Sequence, residues 1–130
     1  MQNLHAVTLV VPDYDEAIRF YVGDLGFSLD EDVAMGPDKR WVRVTPPGAS
    51  HGSLVLAKAV GREQAAAIGA QTGGRVGFFL HTDDFAQDYE AMREIGVAFE
   101  EAPRHEPYGT VAVFRDPFGN RWDLLQLKAR

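Results

Sequence analysis

Apolar and polar positions change their period several times along this chain, and each change marks an element. Residues 6–11, Ala-Val-Thr-Leu-Val-Val, are β-branched and apolar and predict a strand that Pro12 ends. The period then becomes helical. Ala17, Ile18, Tyr21, Val22 and Leu25 recur at spacings of three and four. Asp13 with Glu16 forms a capping-box signature at the start, and Gly26 supplies a stop. Phe27-Ser-Leu29, Arg40–Thr45 and Ser53–Ala57 then predict three short strands. Gly36-Pro37-Asp38 and Pro46-Pro47-Gly48 are the turns between them.

The second half repeats this order. Val76–His81 predicts a strand, and Asp84 with Gln87 repeats the cap. Tyr89, Met92 and Ile95 form the helical stripe, which Gly96 stops. Val97-Ala-Phe99, Thr110–Phe114 and Arg121–Gln126 predict the remaining strands, with Asp116-Pro-Phe-Gly-Asn120 as a tight turn. Between the halves, Arg62–Ile68 predicts a short helix and Gln71-Thr-Gly-Gly74 a flexible joint. The phrase Asp13…Phe20-Tyr21…Leu25-Gly26-Phe27 thus has a counterpart in Asp84…Tyr89…Ile95-Gly96-Val97, so the chain reads as two β-α-β-β-β modules.

Strand alternation assigns faces. Val7, Leu9 and Val11 should pack under the first helix, leaving Ala6, Thr8 and Val10 on the other side. Val76, Phe78 and Leu80 should pack under the second helix, leaving Gly77, Phe79 and His81. Trp122 and Leu124 should point inward, leaving Arg121, Asp123 and Leu125 outward. Small and polar residues therefore collect on the faces away from the helices. Two such sheets, curved by normal twist, would form a cleft lined by Thr8, Ser53, His81, Arg121 and Asp123. The alternative is an ordinary solvated sheet face, against which Phe79 and Leu125 argue.

Composition narrows the function classes. The chain has 130 residues, 45% of them hydrophobic, enough for a core without staples. It contains no cysteine, which excludes a disulfide framework, a thiolate nucleophile and a Cys-based zinc site, and fits a reducing cytoplasm. Net charge is −6 with Lys and Arg scattered, so nucleic acid and anionic lipid are not expected partners. No apolar stretch is long enough to span a membrane, and the first residues lack a signal-peptide pattern. A small molecule or another protein chain is the expected partner.

These features match a family. Val7-Thr-Leu-Val-Val, Asp13…Ala17-Ile-Arg-Phe-Tyr21…Leu25-Gly26-Phe27 and Val113-Phe-Arg-Asp116-Pro-Phe-Gly119-Asn-Arg-Trp-Asp123-Leu resemble the glyoxalase, bleomycin-resistance and dioxygenase superfamily, the vicinal oxygen chelate proteins. The resemblance covers essentially the whole chain. It implies an α+β fold of two tandem βαβββ modules, forming a curved mixed-sheet cup in one domain over residues 1–130. Module one is expected at about 4–58, the linker at about 59–75 and module two at about 76–128. A homodimer is also implied, and open sheet edges would need cover.

In many members a divalent metal sits in the cup on His, Glu or Gln side chains. The resemblance carries those positions to Ala6, seven residues before Asp13, to Gly77, seven before Asp84, to Asp123, seven after Asp116, and to Val55, which matches Asp123. Only Asp123 can ligate, whereas a catalytic divalent site needs about three protein ligands. No metal is therefore expected; Zn, Ni, Mn or Fe at a displaced site is the alternative. A one-residue bulge would be needed to turn His5 into the cup. His81 lies roughly 13 Å along its strand from Gly77, which suits a polar ligand contact better than metal ligation.

The other candidates follow from placement. Trp41 and Arg43 share one strand face, and an aromatic beside a guanidinium suits a planar, carbonyl-bearing or anionic ligand; an edge or interface strand is the alternative. Arg104, His105, Glu106 and Tyr108 lie in a segment read as a loop at the mouth of the site, or as a plain surface loop. His51 reads as a solvated turn residue. No nucleophile elbow, P-loop or dinucleotide glycine pattern occurs.

The expected ligand-binding set is Trp41, Arg43, Ser53, Phe79, His81, Glu106, Tyr108, Arg121 and Asp123. Asp123, paired with Arg121 or acting as a base, together with His81 and Tyr108, is the candidate catalytic set. The function expected is metal-independent binding of a small organic molecule by a cytoplasmic protein. The alternatives are an enzyme of the same superfamily, a lactoylglutathione-lyase-like lyase or isomerase or a dioxygenase, and a structural or regulatory dimer. Nothing in the residues points to glutathione.

Overall fold

A computed structural model describes residues 1–129. The chain forms two compact units, Met1–Ile68 and the residues from Gly69 onward.

The first unit contains β1 (Ala6–Val11), α1 (Tyr14–Ile18), β2 (Ser28–Gly36), β3 (Lys39–Thr45), β4 (Ser53–Lys58) and α2 (Gly61–Ala67). Its sheet is open and mixed, in the order β1-β4-β3-β2. β1 and β4 run parallel; the other pairs are antiparallel. Leu9, Val11, Val42, Val44, Leu54 and Leu56 are buried together with Tyr14, Ala17, Phe20, Tyr21 and Phe27. Full burial of each aliphatic side chain contributes about 1.5–3 kcal/mol. Val7 departs from its expected place. It is 44% exposed, because the helix covers only the later part of the strand face.

Asp13 caps α1 as the pattern predicts, its carboxylate accepting from the Glu16 N–H at 2.8 Å. The helix does not stay regular. Residues Arg19–Asp24 form a π-helical segment, closed by Leu25 N–H donating to Phe20 O at 2.9 Å. The wider turn lets Phe20, outside the predicted stripe, enter the core edge-to-face against Tyr21, ring centroids 5.0 Å apart. Gly26 ends the segment with φ of 77°, which a non-glycine residue would adopt only with strain.

The second unit contains β5 (Phe78–His81), α3 (Phe85–Glu94), β6 (Ala98–Phe99), β7 (Arg104–Glu106), β8 (Gly109–Arg115) and β9 (Arg121–Leu127). The path β5-β9-β8-β6 is an open mixed sheet, with β7 also paired to β8. The segment read as a mouth loop is therefore a hairpin. Arg104, His105 and Glu106 pair with Val111, Thr110 and Gly109. A three-residue strand of charged side chains carries no hydrophobic alternation, so only its partner strand defines it.

A row of aromatic rings fills the helix side of this sheet. Phe78 stacks on Trp122 at 4.8 Å, Trp122 on Phe114 at 5.8 Å, and Phe99 bridges Phe114 to Tyr89 at 5.7 and 4.6 Å. Ile95 lies outside that core and is exposed, because Gly96 turns the chain away directly after it. Asp116 organises the β8–β9 turn. Its carboxylate accepts from the Phe118 and Asn120 N–H groups at 3.0 and 2.8 Å and from the Asn120 side chain at 2.7 Å. No helix among the described residues is long and apolar enough to cross a membrane.

Candidate ligand-binding faces

In the first unit, the face opposite α1 is built on β3. Val42 and Val44 go into the core, so Trp41, Arg43 and Thr45 must point the other way. Arg43 lies opposite Val55 on β4 and opposite Glu31 on β2. A register shift between Leu29 and Glu31 brings Asp30 onto the same face. Arg43 then donates to Glu31 at 2.6 Å, to Asp30 at 3.2 Å and to Ser53 Oγ at 2.9 Å. Ser53 and Thr45 hydroxyls are 2.8 Å apart, and Thr45 also donates to Asp30. The Trp41 indole N–H donates to Glu31 at 3.1 Å.

These bonds hold both carboxyls below their ordinary range: Glu31 chiefly through Arg43, then Trp41; Asp30 chiefly through Thr45, then Ser28. The result is a fixed polar platform beside a Trp41 ring that is 38% exposed. Trp41, Arg43 and Ser53 are linked through these bonds, and Asp30, Glu31 and Thr45 join them without having been among the candidates. The acidic run Asp30-Glu31-Asp32, lying across the Gly36–Asp38 turn from Arg40-Trp-Val-Arg43, was the available signal.

In the second unit, Trp122 and Leu124 are buried under α3, so Arg121, Asp123 and Leu125 share the opposite face. Phe79 lies beside Asp123 on the parallel neighbour β5, and Val113 flanks it on β8. His81, exposed, lies beside Leu125. Phe79 is 66% exposed. Asp123 Oδ1 is buried without a hydrogen-bond partner. Burial pushes this carboxyl up from its ordinary value, Arg104 and Arg121 opposing in part.

The expected pairing of Arg121 with Asp123 is not formed. Arg121 donates twice to Glu100, at 2.9 Å each, and once to Gly74 O at 3.0 Å. Arg115 adds a third bond to Glu100 at 2.7 Å. Glu100 sits where β6 leads away from the sheet and can reach round Arg121, whereas Asp123, two residues on, points parallel to it. Glu106 is bound to Arg104 at 2.8 Å, and Tyr108 stands at the exposed hairpin tip.

A sequence profile of the Glyoxalase/Bleomycin resistance protein/Dioxygenase superfamily matches residues 3–124. The chain belongs to this superfamily. An uncharacterized protein of Shewanella frigidimarina is 54% identical over 127 residues, 97% of this chain and 94% of the relative. Among solved structures, UcmS2 superposes with a TM-score of 0.84 at 34% identity, covering 96% of this chain and 98% of that one. TnmS3, an antibiotic binding protein from Streptomyces sp. CB03234, gives a TM-score of 0.78 at 33% identity, with 98% of both chains covered.

Within this superfamily the question is whether the residues present fit a divalent metal. Ala6, Val55 and Gly77 offer no side-chain donor, which leaves Asp123 alone. The β1–β4 register runs unbroken from Ala6–Ser53 to Val11–Lys58, so β1 itself carries no bulge; His5 lies just before it, within electrostatic reach of Glu31, which already bonds Arg43 and Trp41. At Gly77 even a Cβ would come within 2.4 Å of Thr72 Cγ2. Among the described residues, no three His, Cys, Asp or Glu side chains group closely enough to hold a metal ion. The donor set does not fit the group.

Proposed function

We propose that this protein binds a small organic molecule, one with a planar ring, on the helix-free sheet faces and without a metal. The observation that carries this reading is Phe79. A ring two-thirds exposed stands in register beside a carboxylate that has one oxygen buried without a donor, and the ring has no structural role in its own core. Isolated exposed apolar residues are common, but an aromatic next to an unpartnered buried acceptor is the mixture small-molecule sites use. Trp41 beside the Arg43 platform repeats the combination in the first unit. The likeness to the antibiotic binding protein TnmS3 supports an antibiotic-like ligand.

The test is a fluorescence titration in EDTA against a panel of planar aromatic antibiotics. Trp41 is partly exposed and should be quenched, whereas Trp122 is buried. Saturable binding in EDTA supports the reading; binding that appears only after Zn, Ni, Mn or Fe is added overturns it. We also take the protein to be a cytoplasmic homodimer. The exposed apolar residues Val33 and Met35 on edge strand β2 support association, and light scattering measures it.

A second reading has its own support. A carboxyl raised by burial is the kind of group that moves protons, so Asp123, with His81 or Tyr108 as partner, would make this a metal-free lyase or isomerase of the superfamily. Ligands recovered unchanged by mass spectrometry and chromatography after long incubation would remove it.

A further inference from the structure

The ion pairs of the second unit leave one charge over. Glu100 is shared by Arg115 and Arg121, and Arg104 is shared by Glu101 and Glu106. Every arginine around Asp123 is therefore engaged with another carboxylate, and Asp123 has no ion pair among the described residues. One of its oxygens is already out of water with no donor. A buried acceptor without a donor is costly, and a charged one more so. Asp123 as a whole is only half-buried, so a ligand group that donates to its other oxygen would offset that cost by neutralising the charge; one that adds negative charge would increase it.

The neighbour of Asp123 sets the rest of the ligand. Phe79 points to the same face from the adjacent strand, roughly 5 Å away at the backbone. Its exposed ring offers a stacking surface at the height of the carboxylate.

Resting on the small-molecule reading above, we propose that Asp123 is the charge-selecting residue of the site, pairing with a protonated nitrogen on a planar ring stacked against Phe79. Selection here works by difference. Cationic rings gain the charge-assisted bond, neutral rings gain stacking alone, and anionic rings meet an uncompensated carboxylate.

The experiment titrates the protein in EDTA at neutral pH with 9-aminoacridine, a planar cation, and with acridine, its largely neutral counterpart, following probe fluorescence. Wild type is expected to bind the cation on the order of tenfold more tightly. Asp123→Asn is expected to bring the two affinities within about twofold by weakening only the cation. Phe79→Ala is expected to weaken both probes. Asp123→Ser carries the same expectation as Asp123→Asn should that variant not fold. Equal affinities on wild type, or an undiminished cation preference in the Asp123 variants, overturns the charge-selecting role while binding itself, seen with the antibiotic panel, still stands. No saturable binding of either probe also overturns that role, and the panel then decides separately whether the protein binds small molecules at all.

Discussion

Ser53 Oγ and Thr45 Oγ1 lie 2.8 Å apart, between Arg43 on one side and Asp30 on the other. Each hydroxyl has one proton, and both ends of the row are fixed by chemistry: a guanidinium can only donate and a carboxylate only accept. The protons must therefore run from Arg43 to Ser53, from Ser53 to Thr45 and from Thr45 to Asp30. Arg43 closes the ring by donating directly to Asp30 at 3.2 Å.

Thr45→Val breaks this row at its middle. It keeps the shape but strands the Ser53 proton and one Asp30 lone pair, so a loss of about 1–3 kcal/mol is expected. Urea unfolding, compared with a Ser53→Ala variant expected to lose about 1 kcal/mol, measures it. Because the residues share one network, the double variant should lose less than the sum of the two.

Asp123→Asn should stabilise the protein at neutral pH. Its carboxyl is raised in the folded state, chiefly by burial, so the ionised form costs stability. The sign follows from linkage. Above the folded-state value the cost is complete; below the ordinary value of 3.8 both states are protonated and the cost is gone. The gain from Asp123→Asn should thus shrink as pH falls towards that range. Urea midpoints across a pH series check this, and a variant that is less stable at neutral pH would contradict it.

Glu100→Gln should act with the opposite sign. Hydrogen bonds from Arg121, then Arg115, hold Glu100 below its ordinary value of 4.5. Its contribution is present above that value and is lost as pH falls through the lowered one. The site is partly solvated, so the loss should be no more than about 1 kcal/mol and should diminish in high salt.

Gly69→Ala should lower the melting temperature. Gly69 has a φ of 72°, and a Cβ there would stand 2.0 Å from the Phe118 carbonyl oxygen. That oxygen belongs to the turn that Asp116 and Asn120 hold rigid, so it cannot move aside cheaply. A loss of about 2 kcal/mol is expected, read by calorimetry. Gly73→Ala, at a similar φ of 68° but in open space, should cost less.

Local pattern was enough for the repeat, both capped helices, and the strands whose alternating residues are buried on one side. In each of these the signal is a period or a side chain bonding its own backbone, and both are written in consecutive residues: Asp13 with Glu16, Asp84 with Gln87, Val42 with Val44. The superfamily followed from the same local phrases. Only the tertiary structure decided where long side chains reach. Arg121 was as close in sequence to Asp123 as to anything, yet Glu100 holds it, because that carboxylate comes from the bend after β6 and meets the guanidinium with both oxygens. Likewise β7 exists only through its pairing with β8, and Asp30 joins Arg43 only because β2 bulges after Leu29. Periodicity settles which face a residue takes; which partner it meets there depends on strand register, and register is a property of the assembled sheet.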